Sequence, residues 1–122
     1  MPGTPIYIVD DDQPTLTSLC YVLEVMGYTV TGFGSAAAFL DQWQEAAGGI
    51  LISDIRMPGL DGISLTRRLR ELGATLPIIL VSGHTDAMIR RDAIDAGALV
   101  VLEKPFDVQL LIAELERLVQ PR

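Results

Sequence analysis

Cysteine, histidine, lysine and tryptophan each occur once in the 122 residues. Cys20 alone cannot close an internal disulfide, which excludes a cystine-stapled scaffold and suits a reducing compartment. Cys20 and His84 lie far apart in sequence and are too few to build a soft metal site. Basic residues are also scarce. Nine Lys and Arg face 16 Asp and Glu, for a net charge of −7, and a pI near 4.4 argues against direct nucleic-acid binding. The longest apolar run, residues 76–81, is far too short to cross a bilayer. No basic segment precedes an apolar stretch at the N-terminus, so no secretory signal is expected and the expected location is the cytoplasm. Repeats, low-complexity tracts and linkers are absent as well.

What is present is a chain with 49% hydrophobic residues, too apolar to be disordered. Its length fits one domain. The surface scaling law gives roughly 6,400 Å² exposed when folded against about 19,000 Å² unfolded, enough burial for an ordinary core. Short apolar runs alternate with longer amphipathic stretches. Residues 6–9, 28–33, 50–53, 77–81 and 98–102 read as strands buried on both faces. Between them run helical stripes. Leu16, Leu19, Cys20, Leu23 and Met26 share one face, with Pro14 in the first turn and Gly27 as the stop. Ser35 caps a second helix bearing Ala36, Phe39, Leu40 and Trp43. Residues 62–72 form a third, with Ile63, Thr66, Leu69 and Leu72 inward and Arg67, Arg68 and Arg70 on a solvated face. Thr85 or Asp86 caps a fourth, with Ile89, Ala93 and Ala96 inward, and Asp107 caps a fifth, with Val108, Leu111, Ile112, Leu115 and Leu118 inward. Strict (βα)₅ alternation predicts an α/β fold, a doubly wound parallel sheet with helices on both faces.

Ligands of such sheets bind beyond the carboxyl ends of the strands. There the chain places Asp10, Asp11 and Asp12, then Asp54, then Ser82, then Lys104. Carboxylates, a hydroxyl and an ammonium make the chemistry of a hard-cation and phosphoryl site. Two ionised carboxylates about 5 Å apart repel by roughly 3 kcal/mol at an effective dielectric near 20. A cation must sit among them, or one must take up a proton. Oxygen ligands in a partly open site select Mg²⁺ or Mn²⁺. Lys104, the sole lysine, stands between a strand and a proline at this end, where its point charge can reach a phosphoryl oxygen. Asp12 and Asp61 read as helix caps, and His84 as a surface residue beside the site.

Asp10-Asp11, the Asp54 motif SDIRMPG at residues 53–59, Ser82-Gly83 and Lys104-Pro105-Phe106 resemble a response-regulator receiver domain over essentially the whole chain. Ser35-Ala36 with Phe39-Leu40, and Ser82-Gly83-His84, are similar to FixJ-like receivers, which often carry a helix-turn-helix output domain. The resemblance implies the flavodoxin-like strand order 2-1-3-4-5 and a single receiver domain over residues 1–122, with no output domain in the chain. It implies Asp54 as phosphoacceptor for a phosphohistidine on a sensor kinase or phosphotransfer protein. Mg²⁺ would be held by Asp10, largely through a bound water, Asp11, Asp54 and the Arg56 backbone carbonyl. Ser82 and Lys104 would bind phosphoryl oxygens, and the Lys104–Pro105 bond would be cis. The chain would be no turnover enzyme, catalysing only its own phosphotransfer and slow autodephosphorylation. Its output face would be the fourth helix, fifth strand and fifth helix, able to form a homodimer or dock an output domain outside this chain, with transcription as the expected output and neither nucleic acid nor membrane as a direct partner. One departure stands out. Many such domains carry Phe or Tyr three residues before the lysine as a rotating switch, and here that position is Val101, too small for the same movement.

Two other classes compete. A haloacid-dehalogenase-like phosphatase would use Asp10 and Asp12 after the first strand, but it would leave Asp54 without a role and has no room for a cap domain. A docking-only relative would have no need of the full Asp10, Asp11, Asp54, Ser82 and Lys104 set. A flavodoxin is disfavoured because the acidic first loop repels a flavin phosphate.

Overall fold

The computed structural model describes residues 3–105 and 107–119; Phe106, the last residue of the Lys-Pro-Phe motif, lies outside them. The elements run β1 (Ile6–Val9), α1 (Gln13–Val25), β2 (Val30–Phe33), α2 (Ala36–Leu40), a 3₁₀ turn (Trp43–Ala46), β3 (Ile50–Asp54), α3 (Gly62–Glu71), β4 (Ile78–Ser82), α4 (Ala87–Ala96), β5 (Val100–Glu103) and α5 (Val108–Val119). All strand pairs are parallel, in the order β2-β1-β3-β4-β5. Among the described residues no helix is long and apolar enough to cross a membrane.

The strands are apolar on both faces because each face packs a helical layer. Alternation along β3 and β4 sends Ile50, Ile52, Ile79 and Val81 toward Leu16 and Leu23 of α1 and Leu111, Ile112 and Leu115 of α5. Leu51, Ile78 and Leu80 face the other way, toward Phe39 of α2, Leu65 and Leu69 of α3 and Ala93 of α4. Phe33 and Phe39 meet edge to face at 5.3 Å in that second layer.

Several sequence expectations shift for local reasons. The second strand begins at Val30 rather than 28, because Gly27 turns left-handed at φ 100° and the Tyr28 N–H closes α1 on the Leu23 carbonyl. β5 starts at Val100 rather than 98, since Ala98 donates back to Ala93 and completes the end of α4. α2 stops at Leu40, and Trp43 falls in the 3₁₀ turn. On α3 Leu65 is fully buried together with Leu69, whereas Leu72, the C-cap, is exposed. Arg70 does not belong to a solvated face. Its guanidinium is half-buried and donates to the carbonyls of Gly97, Ala74 and Leu76. A helical wheel sees the angle of Arg70 but cannot see that the loop after α3 and the end of α4 both aim carbonyls at it.

Candidate functional site

Register sets the site. Val9 stands opposite Ser53, so Asp10 emerges level with Asp54, the last residue of β3. Asp54 in turn is paired with Val81, and Ser82 with Glu103, which brings Lys104 to the same end. Backbone bonds continue the pairing at these ends. The Asp10 N–H donates to the Phe33 carbonyl of β2, the Ile55 N–H to the Val81 carbonyl at 2.8 Å, and the Lys104 N–H to the Ser82 carbonyl at 2.7 Å.

Asp10, Asp11 and Asp54 each offer a carboxylate oxygen, all within 4.8 Å of one another. The Lys104 ammonium donates to Asp54 Oδ2 at 3.1 Å and lies 3.6 Å from Asp10 Oδ2. Three carboxylates against one ammonium leave a surplus of negative charge in a partly buried space. Burial is the largest influence on Asp10 and raises its pKa above the ordinary 3.8, against the lowering effect of the Asp12 N–H and of Lys104. For Lys104, burial is again the largest influence and opposes the charge. The hydrogen bond and charge of Asp54, followed by Asp10, together outweigh it and hold the pKa above 10.5. The oxygen-only donor set, its spacing and its excess charge fit a hard divalent cation such as Mg²⁺. A cleft of about 780 Å³ opens here, lined at its polar end by Asp10, Asp54 and Lys104 and farther on by Leu19, Val22 and Val108.

The remaining expected residues fall nearby, not all in contact. Ser82 is buried at the tip of β4, but its hydroxyl is turned into its own loop, donating to the His84 carbonyl at 2.6 Å and accepting from the His84 N–H. Arg56 is exposed in the loop after β3. The Lys104–Pro105 bond is cis. Val101 is buried against α4 and the second core layer. His84 is exposed. Asp61 caps α3 through the Ser64 N–H. Asp12 caps α1, accepting from the backbone and hydroxyl of Thr15, so its carboxylate is committed to the helix and not to a two-aspartate phosphatase pair.

Three residues matter to the site although sequence reasoning passed them over or misjudged them. Gly62 begins α3, and a Cβ there would collide with the Asp54 carbonyl. Its N–H closes on the Ile55 carbonyl, so only glycine lets α3 start this close to Asp54. The Asp-Gly pair before a helical stripe was the available signal. Arg70 and Arg90 both hold α4, Arg90 by donating to the Val101 carbonyl, and no local pattern announces either.

Comparison with known proteins follows the same lines. The family model described as response regulator receiver domain matches residues 6–116. The transcriptional regulatory protein FixJ of Bradyrhizobium diazoefficiens is 41% identical over 111 residues, covering 91% of this chain and 54% of that protein. The response regulator protein TmoT of Ectopseudomonas mendocina is 43% identical over 110 residues, 90% of this chain and 50% of that protein. The chain thus spans about half the length of these curated relatives. The crystal structure of FixJ-N superposes with a TM-score of 0.90 at 35% identity, covering 100% of this chain and 98% of that one.

Proposed function

Because the chain belongs to the response regulator receiver domain family, we propose that Asp54 accepts a phosphoryl group from the phosphohistidine of a sensor kinase or phosphotransfer protein, with residues 1–122 acting as one phosphoacceptor domain. A carboxylate oxygen of Asp54 attacks phosphorus as the P–N bond breaks. The imidazole leaves with the bonding pair and takes a proton from solvent. The observation that carries this reading is the Lys104 ammonium held 3.1 Å from Asp54 and 3.6 Å from Asp10, beside three acids spaced for one cation.

Asp10, Asp11, Asp54 and the Arg56 carbonyl would hold Mg²⁺ or Mn²⁺, which when bound neutralises charge on the transferring oxygens. Lys104 shifts from the Asp54 carboxylate to a phosphoryl oxygen. Ser82 gives up its bonds to His84 and donates to another. These contacts exist only with phosphate present, so they bias the conformation. With Val101 in the aromatic position, the bias runs through Ser82 and the loop to α4. The face of α4, β5 and α5 then pairs with a second copy or an output domain, with transcription as the output. Slow hydrolysis of the Asp54 phosphoryl group resets the domain. This reading places the chain in the cytoplasm, on the side of the membrane that holds the kinase's ATP.

Incubation with Mg²⁺ and acetyl phosphate tests it. Intact mass is expected to rise by one phosphoryl group, and Asp54→Asn to abolish the gain. An unchanged mass, identical in the two proteins, would overturn the reading.

A further inference from the structure

Four polar side chains are buried among the described residues: Asp10, Ser53, Thr66 and Ser82. Asp10 and Ser82 stand at the phosphoryl site. The Thr66 hydroxyl is used within α3, donating to the Gly62 carbonyl at 2.8 Å. Ser53 directly precedes Asp54 but faces away from the cleft. Side chains alternate along β3, so Ser53 shares the face of Leu51, while Asp54 shares with Ile52 the face that lines the cleft. The layer that Leu51 joins is built from apolar side chains such as Leu65, Leu69 and Leu80. A hydroxyl buried there is costly unless it is bonded, and an apolar side chain of similar size would suit the packing better.

The bond that hydroxyl makes is to Asp54 itself. Ser53 Oγ donates to the Asp54 backbone carbonyl at 2.9 Å, and among the described residues no loop N–H closes on that carbonyl. The other end of the same peptide unit is the Ile55 N–H, which donates to the Val81 carbonyl at 2.8 Å. The next carbonyl along, that of Ile55, accepts from the Gly62 N–H at 2.8 Å. A Cβ on Gly62 would collide with the Asp54 carbonyl oxygen, so the start of α3 confines that oxygen as well. A peptide unit is planar. Tying it at both ends therefore fixes ψ of Asp54, and with it the direction in which the carboxylate leaves the backbone.

Resting on the phosphoacceptor reading, we propose that Ser53 is a positioning residue for phosphoryl transfer: its hydroxyl locks the peptide unit after Asp54 and so aims the Asp54 carboxylate at Lys104 and at the cation shared with Asp10 and Asp11. Ser53 acts from the opposite face of the sheet and touches none of the reacting atoms. Without the hydroxyl, the peptide unit keeps only its Val81 bond and rocks about it. The carboxylate then spends less of its time in the geometry that binds the cation and attacks phosphorus, and a small misplacement of a reacting group is costly. A ligand held in place beforehand avoids that ordering cost when the cation binds.

Ser53→Thr and Ser53→Val test this on the whole chain. The two side chains have nearly the same shape, so both add the same bulk and only the hydroxyl differs. Two quantities are measured: Mn²⁺ affinity of the unphosphorylated chain, from loss of the free-ion EPR signal, and the rate of phosphoryl mass gain from acetyl phosphate at saturating Mg²⁺. Ser53→Val is expected to bind Mn²⁺ about two- to tenfold more weakly than Ser53→Thr, the range that one hydrogen bond supplies, and to gain mass more slowly by a similar factor. Ser53→Thr is expected to stay close to the unsubstituted chain in both. A hydroxyl that only satisfied a buried carbonyl would move the melting temperature in chelator and leave both measurements alone. Thr and Val alike in either measurement would therefore overturn the proposal. Where the added bulk prevents folding, Ser53→Ala against the unsubstituted chain makes the same comparison. An unsubstituted chain that binds Mn²⁺ but gains no mass would overturn the phosphoacceptor reading, and the Mn²⁺ affinities would still decide whether Ser53 aims Asp54. An unsubstituted chain that binds no Mn²⁺ would overturn the proposal outright.

Discussion

Lys104 and Arg70 both leave solvent in part, and they do so in opposite company. Lys104 faces the carboxylates of Asp54 and Asp10 at the carboxyl end of the sheet. Arg70 faces three backbone carbonyls, those of Gly97, Ala74 and Leu76, at the end of α3. Burial lowers the pKa of Arg70, and no carboxylate offsets it. At Lys104 the carboxylates outweigh burial. Carbonyl dipoles are permanent, and near a helix C-terminus they favour a cation whatever happens elsewhere. Carboxylates can gain a metal, a proton or a phosphoryl group, so the cation facing them changes partners. The first arrangement holds structure, and the second is suited to chemistry.

Removing each cation in turn should separate the two roles. The largest effect on stability is expected from Arg70→Ala, which strands three carbonyls and unpins α4. A cost of about 2–4 kcal/mol follows from losing several hydrogen bonds to a charged donor, or a fall of roughly 10 °C in melting temperature for a domain of this size. Acetyl phosphate should still modify its Asp54 below that melting point, and Mg²⁺ should not restore the loss. Lys104→Met should cost less, about 1 kcal/mol, because the pair is partly screened by solvent. Here the loss is expected to shrink when Mg²⁺ is added, since a cation again stands among the acids. Calorimetry of both variants with and without Mg²⁺ checks the contrast. Equal Mg²⁺ responses in the two would remove it.

The same contrast explains what was legible in the sequence. Asp10, Asp54, Ser82 and Lys104 each follow an apolar strand, and a parallel sheet gathers strand ends by topology alone. Their convergence could therefore be argued without coordinates. The twofold alternation of Ile50, Leu51 and Ile52 likewise places them in two layers. Arg70 was misjudged because its partners, Gly97 above all, are remote in sequence and use backbone atoms, which carry no side-chain signature. Leu65 and Leu72 were exchanged for a related reason. Near a helix end the chain leaves the helical repeat, and Leu72 caps α3 instead of packing beneath it. Strand ends moved wherever a helix cap claimed the first residues, as at Tyr28 and Ala98. The hydroxyl of Ser82, turned to His84, was equally beyond reach, since rotamers depend on neighbours already in place.

Asp10 and Asp12 carry the contrast down to two residues of one loop. Asp10 belongs to the cluster that can change, and burial raises its pKa above 3.8. The folded state then holds that proton more tightly than the unfolded state does. Its stabilising share is full below 3.8 and is lost as pH rises through the folded value. At neutral pH, without metal, ionised Asp10 is a net cost, and Asp10→Asn is expected to raise the melting temperature by a few degrees while weakening Mg²⁺ binding. Asp12 is held by fixed partners. The Thr15 hydroxyl, then the Thr15 N–H, lower its pKa below 3.8. Its share is present above 3.8 and is lost as pH falls through the lower folded value. Asp12→Asn keeps a capping oxygen but gives up the charged share, so it should lower the neutral melting temperature slightly and flatten the acid limb. Melting curves from acid to neutral pH in chelator should therefore show the two substitutions acting in opposite directions above 3.8, and a common direction would mean that both carboxylates answer to the same surroundings.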